Sequence, residues 1–283
     1  MAGPPLPDNV LQLIRAALAE DIGSGDVTSL YFVPEQARNT ARIVAREPGI
    51  VTGCEVAATV FREVDASLKV IIEKPDGASF SKGGSLMQIE GKARSLLTAE
   101  RTALNFLQRL CAIATQTHRY VEAVKPHPVK ILDTRKTTPG WRWLEKHAVK
   151  CGGGTNHRIG LFDMVMVKDN HLLADDRLDD LQTAIDRVKT DRPGIKVELE
   201  ADTLDQVRAF LTLRGVDVIL LDNMPPAMLR EAVAIVQGRV MLEASGGITL
   251  DTIKNVAATG VDAISIGALT HTVRALDLSL EFE

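Results

Sequence analysis

Six apolar, strand-like runs in the second half of the chain each end on a polar or charged cluster, and that repeat narrows the folds open to it. Residues 129–133 run into Thr134-Arg135-Lys136, 164–167 into Lys168-Asp169-Asn170-His171, and 195–199 into Glu200. Residues 218–221 then meet Asp222-Asn223, 240–244 meet Ser245-Gly246-Gly247, and 263–266 meet Gly267. Runs this short and this apolar suit buried parallel strands. Helical patterns fill the gaps, and strict strand–helix alternation gives a parallel sheet with right-handed crossovers. A parallel α/β barrel places every carboxyl strand end on one face, where the site is built. Two basic clusters, two acidic positions and two glycine turns would share that mouth, which suits a multiply anionic substrate carrying phosphates and a metal.

A full barrel needs eight strands, and six are readable, so the expected architecture is an incomplete or irregular parallel α/β barrel. An open doubly wound sheet is the structural alternative, but no GxGxxG fingerprint follows the first strand. Helix signals punctuate the repeat. Thr203-Leu204-Asp205-Gln206 has capping-box form, with a helix expected to stop near Gly215; Pro225-Pro226 opens the next, which leaves at Gly238; Thr249 is placed to cap a third ending near Gly260.

The first hundred residues read as a separate α+β sandwich domain. Residues 8–20 form an amphipathic helix, 55–64 look helical, and 41–45, 68–72 and 86–89 are strand candidates. A long helix from Thr98 to about Val124 joins the halves. Leu104, Leu107, Cys111 and Ala114 make one stripe on it, and Phe106, Leu110 and Ile113 lie on other faces, so it is buried on several sides. The expected division is 1–109 for the first domain, with the tail 274–283 packing on it, and 110–273 for the barrel.

Bulk properties exclude some functions. A formal charge of −4 argues against a general nucleic-acid or membrane-surface binder. No apolar run approaches the roughly 18 residues that span a bilayer, and the start lacks a signal-peptide pattern. The three cysteines, Cys54, Cys111 and Cys151, have no metal or redox spacing, and a cytoplasmic location is expected.

Each cluster has a sharp and a bland reading. In Arg135-Lys136-Thr137-Thr138-Pro139-Gly140, arginine offers a planar fork to carboxylate or phosphate and lysine a point charge; alone, a solvated basic loop is as good an account. Gly152-Gly153-Gly154-Thr155-Asn156-His157-Arg158 combines a permissive backbone with donors for an anion, and a merely flexible loop is its alternative. Lys168 ends an apolar strand and reads as a Schiff-base nucleophile, an electrostatic clamp, or a strand end meeting solvent. Glu198 and Glu200 share a face by the period-2 rule, and Asp222 ends the next strand; two of these acids could hold Mg2+, bind ribose hydroxyls or stabilise a cationic transition state. Ser245-Gly246-Gly247 sits where barrels commonly hold phosphate, or is a tight turn.

These motifs together resemble the quinolinate phosphoribosyltransferase family. The stretches that carry the likeness are Arg101–Asn105, Leu132–Gly140, Gly152–Arg158, Val167–His171, Glu198-Leu199-Glu200, Leu221–Met224, Glu243–Ile248 and Gly267–His271. Trp141 stands where that family usually has Leu or Phe, Cys111-Ala112 replaces a common Ser-Gly, and the spacing from Glu200 to Asp222 is a residue longer. The resemblance implies transfer of a phosphoribosyl group from phosphoribosyl pyrophosphate to quinolinate with loss of carbon dioxide, giving nicotinate mononucleotide. It implies Arg135, His157, Arg158 and Lys168 as clamps on the dianion. A homodimer or higher oligomer is implied as well, in which Arg101 reaches the neighbouring site. Lys136 and Lys168 would supply charge at the pyrophosphate, Glu200 and Asp222 would face the ribose and Mg2+, and Ser245, Gly246, Gly247 and Gly267 would take the 5′-phosphate. A paralogue acting on another anionic aglycone, a Schiff-base aldolase and a non-catalytic phosphate-binding module are the competing functions.

Overall fold

The computed structural model describes residues 6–168 and 178–283. The elements begin with α1 (Asp8–Ile22), α2 (Val27–Phe32), β1 (Arg38–Ala45), β2 (Gly49–Ile50), α3 (Cys54–Val64), β3 (Lys69–Ile72), β4 (Ser79–Phe80) and β5 (Ser85–Lys92). The long α4 (Ala93–Val124) leads to β6 (Lys130–Leu132), α5 (Arg142–Cys151), β7 (Met164–Val167), α6 (Leu178–Asp191), β8 (Lys196–Ala201) and α7 (Leu204–Phe210). Then come β9 (Val218–Asp222), α8 (Pro226–Val236), β10 (Met241–Ser245), α9 (Ile253–Ala257), β11 (Ala263–Ser265), α10 (Ala268–His271) and β12 (Leu278–Phe282). They group into two compact units: Met1–His118, Thr137–Gly153 and Leu269–Glu283 in one, Arg119–Lys136 and Gly154–Ala268 in the other. The segments interleave along the chain, so α5 and β12 belong with the first unit.

The first unit carries an antiparallel sheet in the order β12-β1-β5-β3. On β1 the alternate residues Ala41, Ile43 and Ala45 are wholly buried, the period expected of a strand with one face on a core. Helix α4 contains no Gly or Pro and stops before Pro126 and Pro128, which cannot continue a helix. Its Leu104, Phe106, Leu107, Leu110, Cys111 and Ile113 are each no more than 2% exposed, so the helix is enclosed on several faces as its pattern requires.

The second unit is a six-stranded parallel sheet in the order β6-β11-β10-β9-β8-β7. Among the described residues β6 and β7 do not pair, and the sheet is not a closed barrel. Part of the gap is taken by Thr155, whose N–H donates to Ile131 O at 2.8 Å and whose carbonyl accepts from Asp133 N at 3.2 Å. Register sets the faces: Glu200 lies beside Leu220, and Asp222 beside Ser245. One face therefore presents Glu198, Glu200, Asp222, Glu243 and Ser245. On the other, Val197, Leu199, Ala201, Ile219, Leu221 and Ala244 are at most 1% exposed.

Helix boundaries differ from the sequence reading in informative ways. The capping box at Thr203 and Gln206 is present, but α7 ends at Phe210, five residues before Gly215. Thr249 does not cap the third helix: α9 begins only after Thr252, whose hydroxyl accepts from Thr249 N at 3.0 Å and holds a turn there instead. Helix α2 was not legible because its apolar side chains do not face a core; Tyr31 and Phe32 are about four-fifths exposed (79% and 83%). A local device holds it, Asp26 accepting from Ser29 N at 2.9 Å.

Candidate active site

The second unit's parallel sheet delivers its polar strand ends in order. After β6, buried Asp133 accepts from Asn156 Nδ2 at 2.6 Å and from His157 N at 2.8 Å, which fixes the segment carrying His157 and Arg158. Asp163 ties the turn that follows, accepting from Ile159 N at 2.7 Å and Gly160 N at 2.9 Å. Arg158 is thereby held with only weak contacts of its own, 3.4 Å to Met164 O and 3.4 Å to Met166 Sδ. Arg135 Nε is buried and has no hydrogen-bond partner among the described residues. Burial, and after it the positive charge of Arg135, lower the proton affinity of Arg158, while Glu198 and Asp163 pull the other way. Two neighbouring guanidinium groups, one with an orphaned buried donor, are the makings of a site for an anion with more than one charge.

Behind the arginines lies a buried acid cluster. His157 Nε2 is 3.2 Å from Glu198 Oε2 and 3.4 Å from Glu243 Oε2, and the imidazole is 7% exposed. Nδ1 accepts from Arg158 N at 2.7 Å, so both ring nitrogens are engaged. Burial opposes a charge on His157, yet the two carboxylates outweigh it and raise the group to about 9. Desolvation, with Glu243 nearby, raises Glu198 as well. His157, one of the clamps the resemblance implies, faces the carboxylates of Glu198 and Glu243 and joins them to the backbone of Arg158.

That geometry also separates the two candidate glutamates. Glu198 is fully buried against His157, while Glu200 is partly exposed and pairs with Lys168 Nζ. Asp222, at the end of the neighbouring strand and on the same face, accepts from Asn223 Nδ2 at 2.6 Å. Glu200 and Asp222 are hard carboxylate donors at adjacent strand ends. They fit Mg2+, which takes few protein carboxylates and completes its shell with water and substrate phosphate oxygens. Asp169, Asn170 and His171 of the Lys168 block lie outside the described residues.

The loop after β10 makes a third feature. A cavity of ≈ 230 Å³ is bordered by Ser245, Gly246, Gly247, Thr252 and Asn255. Gly246 has φ +100°, and a Cβ there would sit 2.1 Å from Asn223 Oδ1, so only glycine allows the loop to close on the turn after β9. Gly267 follows β11, the neighbour of β10. Lys136 is exposed, its N–H donating to Thr134 Oγ1 at 3.1 Å.

Two site readings move to the first unit. A Cβ on Gly152 would meet Ala114 O at 2.3 Å and Thr117 Cβ at 2.7 Å, so this glycine lets α5 end against α4 and is not there for a ligand. Arg101 is 61% exposed, with Glu100 at 4.0 Å. Sequence reasoning missed Arg109 and Glu145. Glu145, wholly buried, accepts from Arg109 at 3.1 Å and from Thr138 N and Oγ1 at 3.2 and 2.8 Å, which anchors the turn following Lys136. The capping-like placement of Glu145 in the first turn of α5 was the available signal. Trp141, the unusual residue of that turn, stacks on Phe106 with ring centroids 4.7 Å apart.

Residues 26–111 match the N-terminal domain of quinolinate phosphoribosyl transferase and residues 113–281 its C-terminal domain. The chain belongs to the quinolinate phosphoribosyltransferase family. It is 42% identical to the chloroplastic carboxylating nicotinate-nucleotide pyrophosphorylase of Oryza sativa subsp. japonica, over 96% of this chain and 77% of that one. It is 40% identical to the probable carboxylating nicotinate-nucleotide pyrophosphorylase of Bacillus subtilis, over 95% and 92%. The solved nicotinate-nucleotide pyrophosphorylase of Francisella tularensis superposes with a TM-score of 0.92 at 38% identity, covering 99% and 98%. As a quinolinate phosphoribosyltransferase family member the chain is an enzyme of the phosphoribosyltransferase class, and among the described residues no helix is long and apolar enough to cross a membrane.

Proposed function

We propose that this chain transfers the phosphoribosyl group of phosphoribosyl pyrophosphate to the ring nitrogen of quinolinate, releasing pyrophosphate and carbon dioxide and leaving nicotinate mononucleotide, a step of NAD biosynthesis. The observation that carries the reading is the Arg135–Arg158 pair beside Lys168, Glu200 and Asp222 on one parallel sheet. Quinolinate is a dianion with adjacent carboxylates, and the Arg158 fork, on a segment tied by Asp133 and Asp163, together with Arg135 suits it. Arg135 and Arg158 take the carboxylates and so fix the ring nitrogen in line with the anomeric carbon. The nitrogen lone pair forms the new bond as the bond to pyrophosphate breaks, and the electron pair leaves with pyrophosphate. Lys136 and Lys168 neutralise the charge that gathers there; Glu200 and Asp222 face the positive charge that develops on the ribose.

Glu200 and Asp222 would hold Mg2+, which supplies positive charge to the pyrophosphate oxygens. Ser245, Gly246, Gly247 and Gly267 receive the 5′-phosphate through backbone and hydroxyl donors at adjacent strand ends. Once the nitrogen is alkylated, the pyridinium accepts the electron pair released as the neighbouring carboxylate departs, and a proton then fills that ring position. No covalent enzyme intermediate is needed, and the pairing of Lys168 with Glu200 favours an ammonium over a Schiff-base nucleophile. Arg101, exposed on its own chain, is read as a further clamp reaching the site of a second copy in a homodimer. A cytoplasmic location is the companion reading; it is supported by three cysteines without disulfide bonds.

The test is formation of nicotinate mononucleotide and carbon dioxide from quinolinate and phosphoribosyl pyrophosphate, with and without Mg2+. Turnover that requires quinolinate supports the reading. Phosphoribosyl transfer to another aglycone with none to quinolinate would sink it.

A further inference from the structure

Among the described residues, two groups of three bring Cys, His, Asp or Glu side chains within ligand distance of one another. One is the His157 cluster already described. The other lies wholly in the first unit and plays no part in the proposed reaction: Asp76, His147 and Cys151. His147 and Cys151 are four residues apart on α5, so helical geometry stacks them on one face. Asp76 comes from the turn between β3 and β4. Its Oδ2 is 2.8 Å from His147 Nε2 and 4.0 Å from Cys151 Sγ, and the remaining edge, Sγ to Nε2, is 3.4 Å.

Zinc bonds of about 2.0–2.3 Å to O, N and S, arranged tetrahedrally, put ligand atoms about 3.3–3.6 Å apart. The three observed edges bracket that range. The donors are also held from outside, as ligating groups need to be. Gly53 N donates to Asp76 Oδ1 at 3.1 Å, leaving Oδ2 to face the other two. Buried Thr52 places its hydroxyl 3.3 Å from Cys151 Sγ and 3.4 Å from Asp76 Oδ2. Trp143 stacks on the His147 ring, with centroids 5.5 Å apart and planes 5° from parallel. Beside the cluster is a largely apolar cavity of ≈ 410 Å³ whose wall includes Asp76, His147, Leu110 and Trp143, which gives room for a fourth, exchangeable ligand.

We propose that Asp76, His147 and Cys151 form a site for a borderline divalent transition metal, Zn2+ in the first place, separate from the carboxylates of the transfer reaction. One thiolate, one imidazole and one carboxylate select Zn2+ over Mg2+, because a hard cation gains little from sulfur and nitrogen. The fourth position is open to water or to a small anionic donor entering by the cavity. The inference stands whether or not quinolinate is the substrate.

Cobalt(II) titrated into the full-length protein reports on the site directly, since a thiolate ligand adds an intense charge-transfer band that carboxylate sites do not give. The expected result is such a band in the wild type, displaced by Zn2+, and absent from Cys151→Ser and His147→Ala. Asp76→Asn keeps the turn's hydrogen bonds and weakens binding by about 10- to 100-fold or more, the range seen even for outer-shell losses. Zn2+ should also slow alkylation of Cys151 in the wild type, a readout that needs no variant to fold; Cys54 and Cys111 are 1% and 0% exposed and do not compete. Transfer activity assayed with Mg2+ should survive in folded variants. A wild type with no charge-transfer band, a band that persists in Cys151→Ser, or alkylation unaffected by Zn2+ overturns the proposal.

Discussion

Raising the pH from 7 to 10 should destabilise this protein in part through one buried cluster, and His157→Gln should remove that part of the dependence. His157 is held at about 9 against an ordinary value of 6.5. A folded value above the unfolded one means that the folded chain binds the proton more tightly. The stabilisation is therefore fully present below about 6.5 and is lost as pH rises through about 9. The gap corresponds to about 3 kcal/mol at low pH; less than half remains at pH 8 and almost none at pH 10. Glu198, facing the ring, is itself raised by burial and by Glu243. His147 sits at about 10, held up by Asp76 and Cys151, and titrates in both proteins, so subtracting the variant from the wild type cancels it. The assay is guanidinium denaturation followed by far-ultraviolet circular dichroism at several pH values, with the slope checked for constancy. The expected wild-type advantage over His157→Gln shrinks by about 2–3 kcal/mol between pH 7 and pH 10. An advantage constant across that interval would refute the raised proton affinity of His157, and with it the hold of Glu198 and Glu243 on the ring.

Other outcomes follow from the same coordinates. Arg135→Ala or Arg158→Ala should weaken quinolinate binding by about 2–5 kcal/mol, measured by titration calorimetry, the usual cost of truncating one partner of a buried charged contact. Asp222→Asn should lower kcat far more than it changes either KM, because its charge is opposed to one that exists only near the transition state; a rise in KM alone contradicts that role. Gly152→Ala drives a methyl to 2.3 Å from Ala114 O and should cost about 1–3 kcal/mol, read as a lowered Tm with normal kinetics below the transition.

The sequence displayed the parallel sheet because buried strands must be apolar throughout and must stop where polar chemistry begins. Residues 164–167 were read without error for that reason, and the other five strands within two residues. What escaped was structure held by local or solvent-facing devices. Helix α2 rests on Asp26 and exposes its apolar side chains, so no periodicity betrays it. Site residues divide the same way. Arg135, Lys168, Glu200 and Asp222 were singled out as charges at the end of apolar runs, and Arg158 as the close of a glycine-rich polar segment. The partners that aim them were not visible: nothing in the string links Asp133 to Asn156, or Glu243 to His157, until the sheet brings residues far apart in sequence to one register. The acids around His157 were hidden for the same cause: a histidine beside an arginine reads as a second cation until two buried carboxylates are found against it.

A chain with a net charge of −4 gathers two arginines at one point, and the acids explain how that is tolerated. Like charges brought together in a partly dry mouth repel, by about 4 kcal/mol at a separation of about 4 Å and an effective dielectric of about 20. A fully exposed pair would avoid this by swinging into water, and could not then present fixed forks to a substrate. Here Asp133 and Asp163 act on the backbone either side of Arg158, so they fix its position without occupying its guanidinium. Glu198 opposes the charge of Arg158. Full neutralisation from within would have removed the attraction for a dianion, and none at all would have expelled the arginines. Partial neutralisation by Glu198, which also faces His157, lies between these limits. It leaves the mouth short of negative charge by an amount that a substrate with two adjacent carboxylates supplies, which makes binding of that substrate the step that completes the electrostatics of the fold.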